Sequence, residues 1–247
     1  MPLTAYEVAR LATMPVMPAL YGEVRSLLRA VVPSGASILD VGGRKSWYTA
    51  GLPVLVTVSD LPRKDQVQHQ LNLGVTENIA DGLRTKRSNI ANFVYDDMSA
   101  TCLPPESFDA IVSVEVIEHV DDDSAFVANL ERTLRPGGVA ILTTPNGDRD
   151  PNPSGDHRRH YRREQLTALL SARFQRVHVS YGVTATAARK RGLVSFNPAH
   201  PARTFSSAAG NLVNRYESGR RSASFDAFGS AHLIAVAWKA EGPDRAG

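Results

Sequence analysis

Short apolar runs alternate with longer amphipathic stretches along most of the chain. Runs of strand length occur seven times, at residues 37–41, 54–60, 91–95, 108–114, 139–144, 177–181 and 232–238. The spacing of apolar residues predicts helices in the stretches around them, at residues 1–33, 76–83, 126–134 and 163–174. Buried strands that alternate with helices are typical of an α/β fold. We therefore expect a mainly parallel, seven-stranded sheet flanked by helices.

The same pattern predicts a single domain over residues 1–247. Residues 1–33 form an N-terminal helical segment in this interpretation, and residues 183–230 form an insertion that covers the substrate between the last two strands. Ligands of such sheets bind at the carboxyl ends of the strands. The functional residues are therefore expected directly after strands.

Composition and charge limit the expected location of the protein and the partners that it could bind. The chain is 43% hydrophobic, enough for a core, yet it contains no run of about 20 apolar residues, so no membrane span is expected. No secretory signal is recognisable at the N-terminus, and the single Cys102 cannot form an internal disulfide, so we expect a cytoplasmic protein. The net charge is +3, and a late arginine-rich stretch either meets an anionic partner or is a solvated surface. Nucleic acid is not indicated as a partner.

Three consecutive strands are followed by residues suited to a nucleoside ligand. Glycines after the first strand allow close backbone approach, and an acid after the second lies at the spacing that binds ribose hydroxyls. An acid and an apolar side chain after the third strand suit an adenine ring. The residues concerned are Asp40, Gly42, Gly43 and Ser46, then Asp60 and Leu61, then Asp97 and Met98.

These residues, with four further segments, resemble the class I S-adenosylmethionine (SAM)-dependent methyltransferase family. The segments are residues 108–112, 115–120, 130–138 and 143–146, and the resemblance covers residues 35–181. It implies a Rossmann-like fold and SAM as cofactor. It also implies that Gly42 and Gly43 contact the methionine end and that Asp60 binds the ribose. Asp97 and Met98 would then hold the adenine, with Asp40, Arg44, Ser46, Leu61 and Glu115 also bordering the cofactor.

The glycine loop departs from the family pattern at two positions. Arg44 and Ser46 stand where the family usually has glycine. Because Arg44 carries a Cβ and a charge, its side chain must either point outward or lie near the methionine carboxylate of SAM. A third possibility is a degenerate site that no longer binds SAM.

Two acids and a histidine follow the fourth strand at helical spacing. Glu115, Glu118 and His119 stand at i, i+3 and i+4, so one helical turn would place them on one face. Together they suit Mg²⁺ or another divalent ion, as in the similar motif of metal-dependent O-methyltransferases. The resemblance implies that His157 completes the metal shell, with His160 as the alternative. Without metal, His119 is the first candidate for the base, followed by His157 and His160.

The acceptor is expected to be chosen by the insertion, whose aromatic residues could stack on sugars or form a lid on the core. These residues are Phe196, Phe205, Tyr216, Phe225 and Phe228. Residues 40–74 resemble methyltransferases of polysaccharide assembly, which implies a manno-oligosaccharide acceptor, Mg²⁺ and a homodimer. Two alternatives remain: an enzyme acting on RNA ribose or a quinol-type phenol, and a non-catalytic scaffold with this fold.

Overall fold

A computed structural model describes residues 2–62, 74–153, 155–193, 199–221 and 225–242. Its centre is a seven-stranded sheet with the order β3-β2-β1-β4-β5-β7-β6. The strands are β1 (Ser37–Val41), β2 (Leu55–Asp60), β3 (Ile90–Tyr95), β4 (Phe108–Val114), β5 (Leu134–Pro145), β6 (Arg176–Thr184) and β7 (Ser230–Trp238). All neighbours pair in parallel except β7, which runs antiparallel to β5 and β6. The predicted fold class is confirmed.

Seven α-helices lie among the described residues, and they cover the sheet on both faces. They are α1 (Ala5–Thr13), α2 (Ala19–Val31), α3 (Glu77–Lys86), α4 (Asp123–Thr133), α5 (Arg163–Ser171), α6 (Ala187–Gly192) and α7 (Pro201–Arg221). The central strands are buried on both sides, with Ile38 and Leu39 of β1 facing opposite core clusters. This burial explains why these strands are continuous apolar runs.

One predicted helix boundary is wrong. Leu134 is not the last residue of a helix but the first of β5, and α4 ends at Thr133. A proline disfavours helical backbone in the residue before it, so the helix cannot continue into Arg135 and Pro136. Gly137, with φ of +75°, then turns the chain into the body of the strand.

The insertion at residues 183–230 contains a pair of helices rather than a structureless loop. The helices α6 and α7 pack on each other, and α7 also contacts the N-terminal segment. The amide of Asn211 donates to the carbonyl of Val16 at 2.9 Å, and Arg215 donates to the carbonyl of Met14 at 3.0 Å. The two additions to the sheet therefore form one cover. None of the described helices is both long and apolar enough to span a bilayer.

Candidate active site

A cavity of about 830 Å³ opens at the carboxyl ends of β1, β2, β3 and β4, beneath the cover formed by α2, α6 and α7. The predicted site residues that line it are Gly42, Arg44, Ser46, Asp60, Leu61, Asp97, Met98, Glu115 and His119. Asp40, Gly43, Glu118, His157 and His160 lie outside its lining. The three strand ends singled out in the sequence therefore meet at one cavity, as the rule for parallel sheets requires.

Asp40, the fourth residue of β1, fixes the glycine loop that follows this strand by accepting hydrogen bonds. This carboxylate is fully buried and accepts hydrogen bonds from Tyr48 at 2.8 Å, from Thr49 at 3.1 Å and from Ser46. Burial raises the pKa of Asp40, and the three hydroxyl donors work in the opposite direction. Asp40 shapes the loop from behind the cavity wall.

Gly42 brings the backbone of the loop against the segment after β4. Its φ is +69°, a left-handed conformation, and a Cβ at this position would meet Val116 Cγ2 at 2.8 Å. Only glycine satisfies both conditions without strain. The loop backbone can therefore approach a ligand closely at this point.

Arg44 lies inside the site. Its guanidinium donates to the carbonyl of Gly74 at 2.7 Å, and Nε lies 3.9 Å from the carboxylate of Asp60. Only 8% of the side chain is exposed, so the outward orientation considered from the sequence is wrong. The positive charge stands beside the acid expected at the ribose, where it forms part of the cavity wall.

The acids after β2 and β3 also line the cavity. Asp60 Oδ1 accepts from the backbone amide of Leu61 at 2.8 Å, and Asp97 accepts from the amide of Ser99 at 2.9 Å. Met98 is buried beside them, as expected for an apolar platform. Asp96, which the sequence analysis did not select, also lines the cavity, and its Oδ2 is buried with no hydrogen-bond partner among the described residues.

The segment after β4 does not form the predicted helical turn over Glu115, Glu118 and His119. Glu115 has φ of +55°, and a short 3-10 turn begins only at Ile117. Left-handed backbone is strained for a residue with a Cβ and is typical of functional positions. The consequence is that Glu115 and Glu118 point to different surroundings.

Glu115 belongs to a hydrogen-bonded chain that the sequence did not reveal. Its Oε1 accepts from Thr143 Oγ1 and from His232 Nδ1, both at 3.1 Å, and Arg189 donates to His232 Nε2 at 2.9 Å. Burial alone would raise the pKa of Glu115, but the contacts with His232 and Thr143 lower it below the ordinary value. This carboxylate is held ionised at the floor of the cavity.

Glu118 lies in a different environment, close to two histidines. One ligand atom from each of Glu118, His119 and His157 lies within 4.8 Å of the others. Glu118 is 1% exposed, and its Oε2 has no hydrogen-bond partner among the described residues. Burial and the charge of Glu115 raise the pKa of Glu118 well above its ordinary value.

The histidines are oriented by groups behind them. His160 Nδ1 lies 2.7 Å from the carbonyl oxygen of Asp150, which can only accept, so this nitrogen carries the proton. His160 Nε2 must then accept from His157 Nδ1 at 2.8 Å. His119 Nδ1 lies 3.2 Å from the carboxylate of Asp156. In the neutral rings, Nε2 of both His157 and His119 therefore keeps a free lone pair.

The segment that carries these histidines is fixed to the turn after β4 by its backbone. The amide of Arg158 donates to the carbonyl of Glu118 at 2.7 Å, which brings His157 next to Glu118. Arg158 also forms an ion pair with Asp121 at 2.9 Å. This contact spans about 40 positions of sequence, and no local pattern could have indicated it.

Several cavity residues were missed from the sequence because they lie on the cover or on the last strand. They are Tyr21 on α2, Arg189 on α6, Asn211 and Asn214 on α7, and His232 on β7. His232 could have been noticed in the sequence, because it is a polar residue inside a predicted buried strand and a buried imidazole requires a hydrogen-bond partner. The asparagines gave no such signal.

Comparison with known proteins agrees with this geometry. A family model described as a methyltransferase domain matches residues 17–182 of the 247. A probable S-adenosylmethionine-dependent methyltransferase of Mycolicibacterium smegmatis is 38% identical over 86 residues, which is 33% of this chain and 34% of that protein. A ubiquinone biosynthesis O-methyltransferase of Xanthomonas axonopodis pv. citri is 34% identical over 123 residues, 46% of this chain and 45% of that protein. The alignments thus span less than half the length of these relatives.

Solved structures share the fold at low sequence identity. Phosphoethanolamine N-methyltransferase 2 of Haemonchus contortus, in complex with S-adenosyl-L-methionine, has a TM-score of 0.61 and 16% identity over 95% of this chain and 57% of that chain. The [4+2]-cyclase SpnF has a TM-score of 0.55 and 20% identity over 90% of this chain and 80% of that chain. Because the family model matches residues 17–182, this chain belongs to the class I SAM-dependent methyltransferase family. Because the fold also occurs in a cyclase, the reaction has to be argued from the site.

Proposed function

We propose that the protein is a SAM-dependent O-methyltransferase that methylates a hydroxyl of a sugar or oligosaccharide, with help from a divalent cation. The observation that carries the proposal is the group formed by Glu118, His119 and His157, in which a buried carboxylate oxygen lacks a partner. This group adjoins the cavity beside the glycine loop, because His119 lines the cavity and Val116 contacts Gly42.

The cavity residues fit SAM. A buried carboxylate oxygen of Asp96 without a partner, the acid Asp60 and the close backbone at Gly42 offer acceptors for ribose and adenine and room for the methionine end. Its volume of about 830 Å³ falls in the range of small-molecule sites. When bound, SAM supplies a methyl group on a sulfonium, which is already a good leaving group. Arg44, beside Asp60, is a further donor for an anionic part of the cofactor.

The donor set also fits a divalent cation. One carboxylate and two imidazoles, with open positions for water or a hydroxyl, suit Mn²⁺, Zn²⁺ or Mg²⁺. His119 and His157 are each oriented through Nδ1, by Asp156 and His160, as metal-bound histidines usually are. When bound, the cation would lower the pKa of a coordinated acceptor hydroxyl. Glu115, predicted as a fourth ligand, faces His232 instead.

Side chains of the protein position the acceptor and remove its proton. Methyl transfer requires the acceptor oxygen about 3 Å from the methyl carbon, in line with the leaving sulfur. Glu115 lines the cavity as an ionised carboxylate and can fix a hydroxyl by accepting its hydrogen bond. His119 Nε2 can take the proton when no cation occupies it. The cover formed by α2, α6 and α7 limits the access of water to this space.

The polar lining of the cavity supports a polyhydroxylated acceptor. Amide, guanidinium and carboxylate groups of Asn211, Asn214, Arg189, Arg158 and Asp156 line it beyond the glycine loop. The aromatic residues expected to stack on sugars do not support the proposal. Phe205, Tyr216, Phe225 and Phe228 lie outside the cavity lining, and Phe196 lies outside the described residues.

A quinol-type phenol is the second candidate acceptor. Its support is the similarity to ubiquinone biosynthesis O-methyltransferases, one of which aligns with 46% of this chain. Apolar residues such as Leu20, Val183 and Leu193 also line the cavity and could contact an apolar ring or tail.

The acceptor is tested by incubating the protein with labelled SAM and a panel of manno-oligosaccharides, quinols and RNAs. We expect label to transfer to an oligosaccharide. Transfer to quinols alone would establish the second candidate, and transfer to RNA with salt-sensitive binding would contradict both.

The cation is tested by binding as well as by turnover. Glu118→Gln should weaken Mn²⁺ binding measured by calorimetry at least ~100-fold, because it removes the charge and one ligand. Glu164→Gln, an exposed acid at the start of α5, is the control and should bind Mn²⁺ like the wild type. Turnover unaffected by EDTA, together with unchanged Mn²⁺ binding in Glu118→Gln, would contradict the metal site.

A further inference from the structure

The helix α7 has an unusual distribution of polar and apolar residues. Its inner face is polar and buried, and carries Ser207, Gly210, Asn211, Asn214 and Ser218. Its outer face is apolar and exposed, and carries Phe205, Ala209, Leu212, Val213 and Tyr216. The outer residues stand at i, i+4, i+7, i+8 and i+11, so they form one stripe along the helix. A surface helix of a globular protein ordinarily shows the opposite arrangement.

The exposure of this stripe is large. Phe205 is 76% exposed, Tyr216 64% and Leu212 52%. The inner face is already satisfied, since Asn214 donates to the carbonyl of Thr184 at 2.8 Å and Ser207 to the carbonyl of Gly192 at 3.0 Å. Rotating the helix to bury the stripe would break these buried hydrogen bonds. Exposed apolar patches of this kind mark interaction surfaces.

The exposed charges of α6 and α7 are basic. Arg203 and Arg220 are exposed on α7, and Lys190 and Arg191 are exposed on α6, which packs against it. The only acid in residues 187–221 is Glu217, which is half-buried and accepts from Thr186 at 2.7 Å. An exposed apolar stripe on a pair of helices whose exposed charges are all cations is typical of a surface that lies on an anionic bilayer.

A second copy of the chain fits this surface less well. In a twofold dimer the same patch faces itself, so the exposed cations of α6 and α7 from both copies would be brought to one interface. No exposed acid among the described residues of α6 and α7 compensates these like charges.

We propose that the outer face of α7 docks the protein on an anionic lipid surface. Phe205, Leu212, Val213 and Tyr216 insert at the level of the headgroups, while the neighbouring arginines and Lys190 contact lipid phosphates. Because Asn211 and Asn214 on the opposite face line the cavity, the docked membrane would lie directly outside the cavity wall. The surface is separate from the cavity lining, so this inference holds whether or not the protein transfers methyl groups.

The test is flotation of the full chain with vesicles of phosphatidylcholine alone or with 30% phosphatidylglycerol. We expect binding to the anionic vesicles, and at least ~10-fold weaker binding for Phe205→Ser/Tyr216→Ser. Leu55→Ser, which removes an apolar side chain that is 43% exposed at the start of β2, is the control and should bind like the wild type. Arg203→Gln/Arg220→Gln should bind the anionic vesicles several-fold more weakly.

Folding of each variant is checked by its melting temperature and by retained binding of S-adenosylhomocysteine, because none of the five altered positions lines the cavity. Absence of vesicle binding by the wild type would overturn the proposal, and so would binding that the Phe205/Tyr216 variant leaves unchanged. A wild-type dimer by light scattering that this variant dissociates, without vesicle binding, would assign the surface to a second copy.

Discussion

At the scale of single residues, the two histidines of the candidate metal site are oriented by groups behind them. His160 holds His157 through a 2.8 Å hydrogen bond and is itself fixed by the carbonyl of Asp150. These two hydrogen bonds determine which nitrogen of His157 keeps its lone pair. The sequence indicated both histidines as candidates, but it did not indicate that His160 orients His157.

The predicted consequence concerns His160→Phe. Loss of the hydrogen bond to His157 should weaken Mn²⁺ binding ~10- to 100-fold, the usual effect of removing an outer-shell partner. His178→Phe, at an exposed position on β6, is the control and should leave Mn²⁺ binding unchanged. Equal Mn²⁺ affinity in the two variants, measured by calorimetry, would mean that His160 does not orient a metal ligand.

At the same scale, the sequence predicted which residues line the cavity at the strand ends better than it predicted the surroundings of these residues. Asp60, Asp97, Met98 and Gly42 follow strands, and strand ends are fixed by the sheet. The position of Arg44 could not be predicted, because its partner Gly74 lies across 30 residues of chain. The turn at Glu115 could not be predicted either, since its left-handed backbone violates the local preference on which helical spacing relies.

At the scale of elements, the cover depends on the close approach of α6 and α7. A Cβ on Gly210 would meet the carbonyl oxygen of Ala188 at 2.8 Å and Arg191 Cβ at 3.0 Å. Gly219, on the same helix, has nothing within 4 Å of such a Cβ. Alanine substitutions at the two glycines therefore distinguish the effect of helix packing, at Gly210, from the effect of helix propensity, at Gly219.

We expect opposite effects when each glycine is replaced by alanine. Gly210→Ala should destabilise the protein by about 1–3 kcal/mol through overpacking. Gly219→Ala should stabilise it by about 0.5–1 kcal/mol, because it restricts the unfolded chain. Urea unfolding followed by circular dichroism measures both changes, and stabilisation by Gly210→Ala would show that the two helices are not packed as described.

The elements also show what the sequence left open. The alternation of apolar runs and helices was sufficient to predict the seven strands, because burial on both faces leaves a strong local signal. The insertion was read only as a region that covers the substrate, since α7 exposes apolar residues and buries polar ones. Such a helix contradicts the rule from which burial is inferred, and its inner face became clear only with its partners Thr184 and Gly192.

At the scale of the whole molecule, the sheet brings distant segments to one cavity. The cavity residues predicted to bind the cofactor come from the first half of the chain, whereas His232 and Arg189 come from its last quarter. The antiparallel β7 places His232 next to Glu115 although 117 positions separate them. The account depends on this cavity binding a SAM-type nucleoside.

The most direct measurement is calorimetric titration with S-adenosylhomocysteine. The account predicts saturable one-site binding by the wild type and at least ~10-fold weaker binding by Asp60→Asn, which loses a charged acceptor for the ribose hydroxyls. Asp81→Asn, which alters an exposed acid on α3, should bind like the wild type. Absence of binding by the wild type at millimolar ligand, or equal affinity in Asp60→Asn, would contradict the central claim.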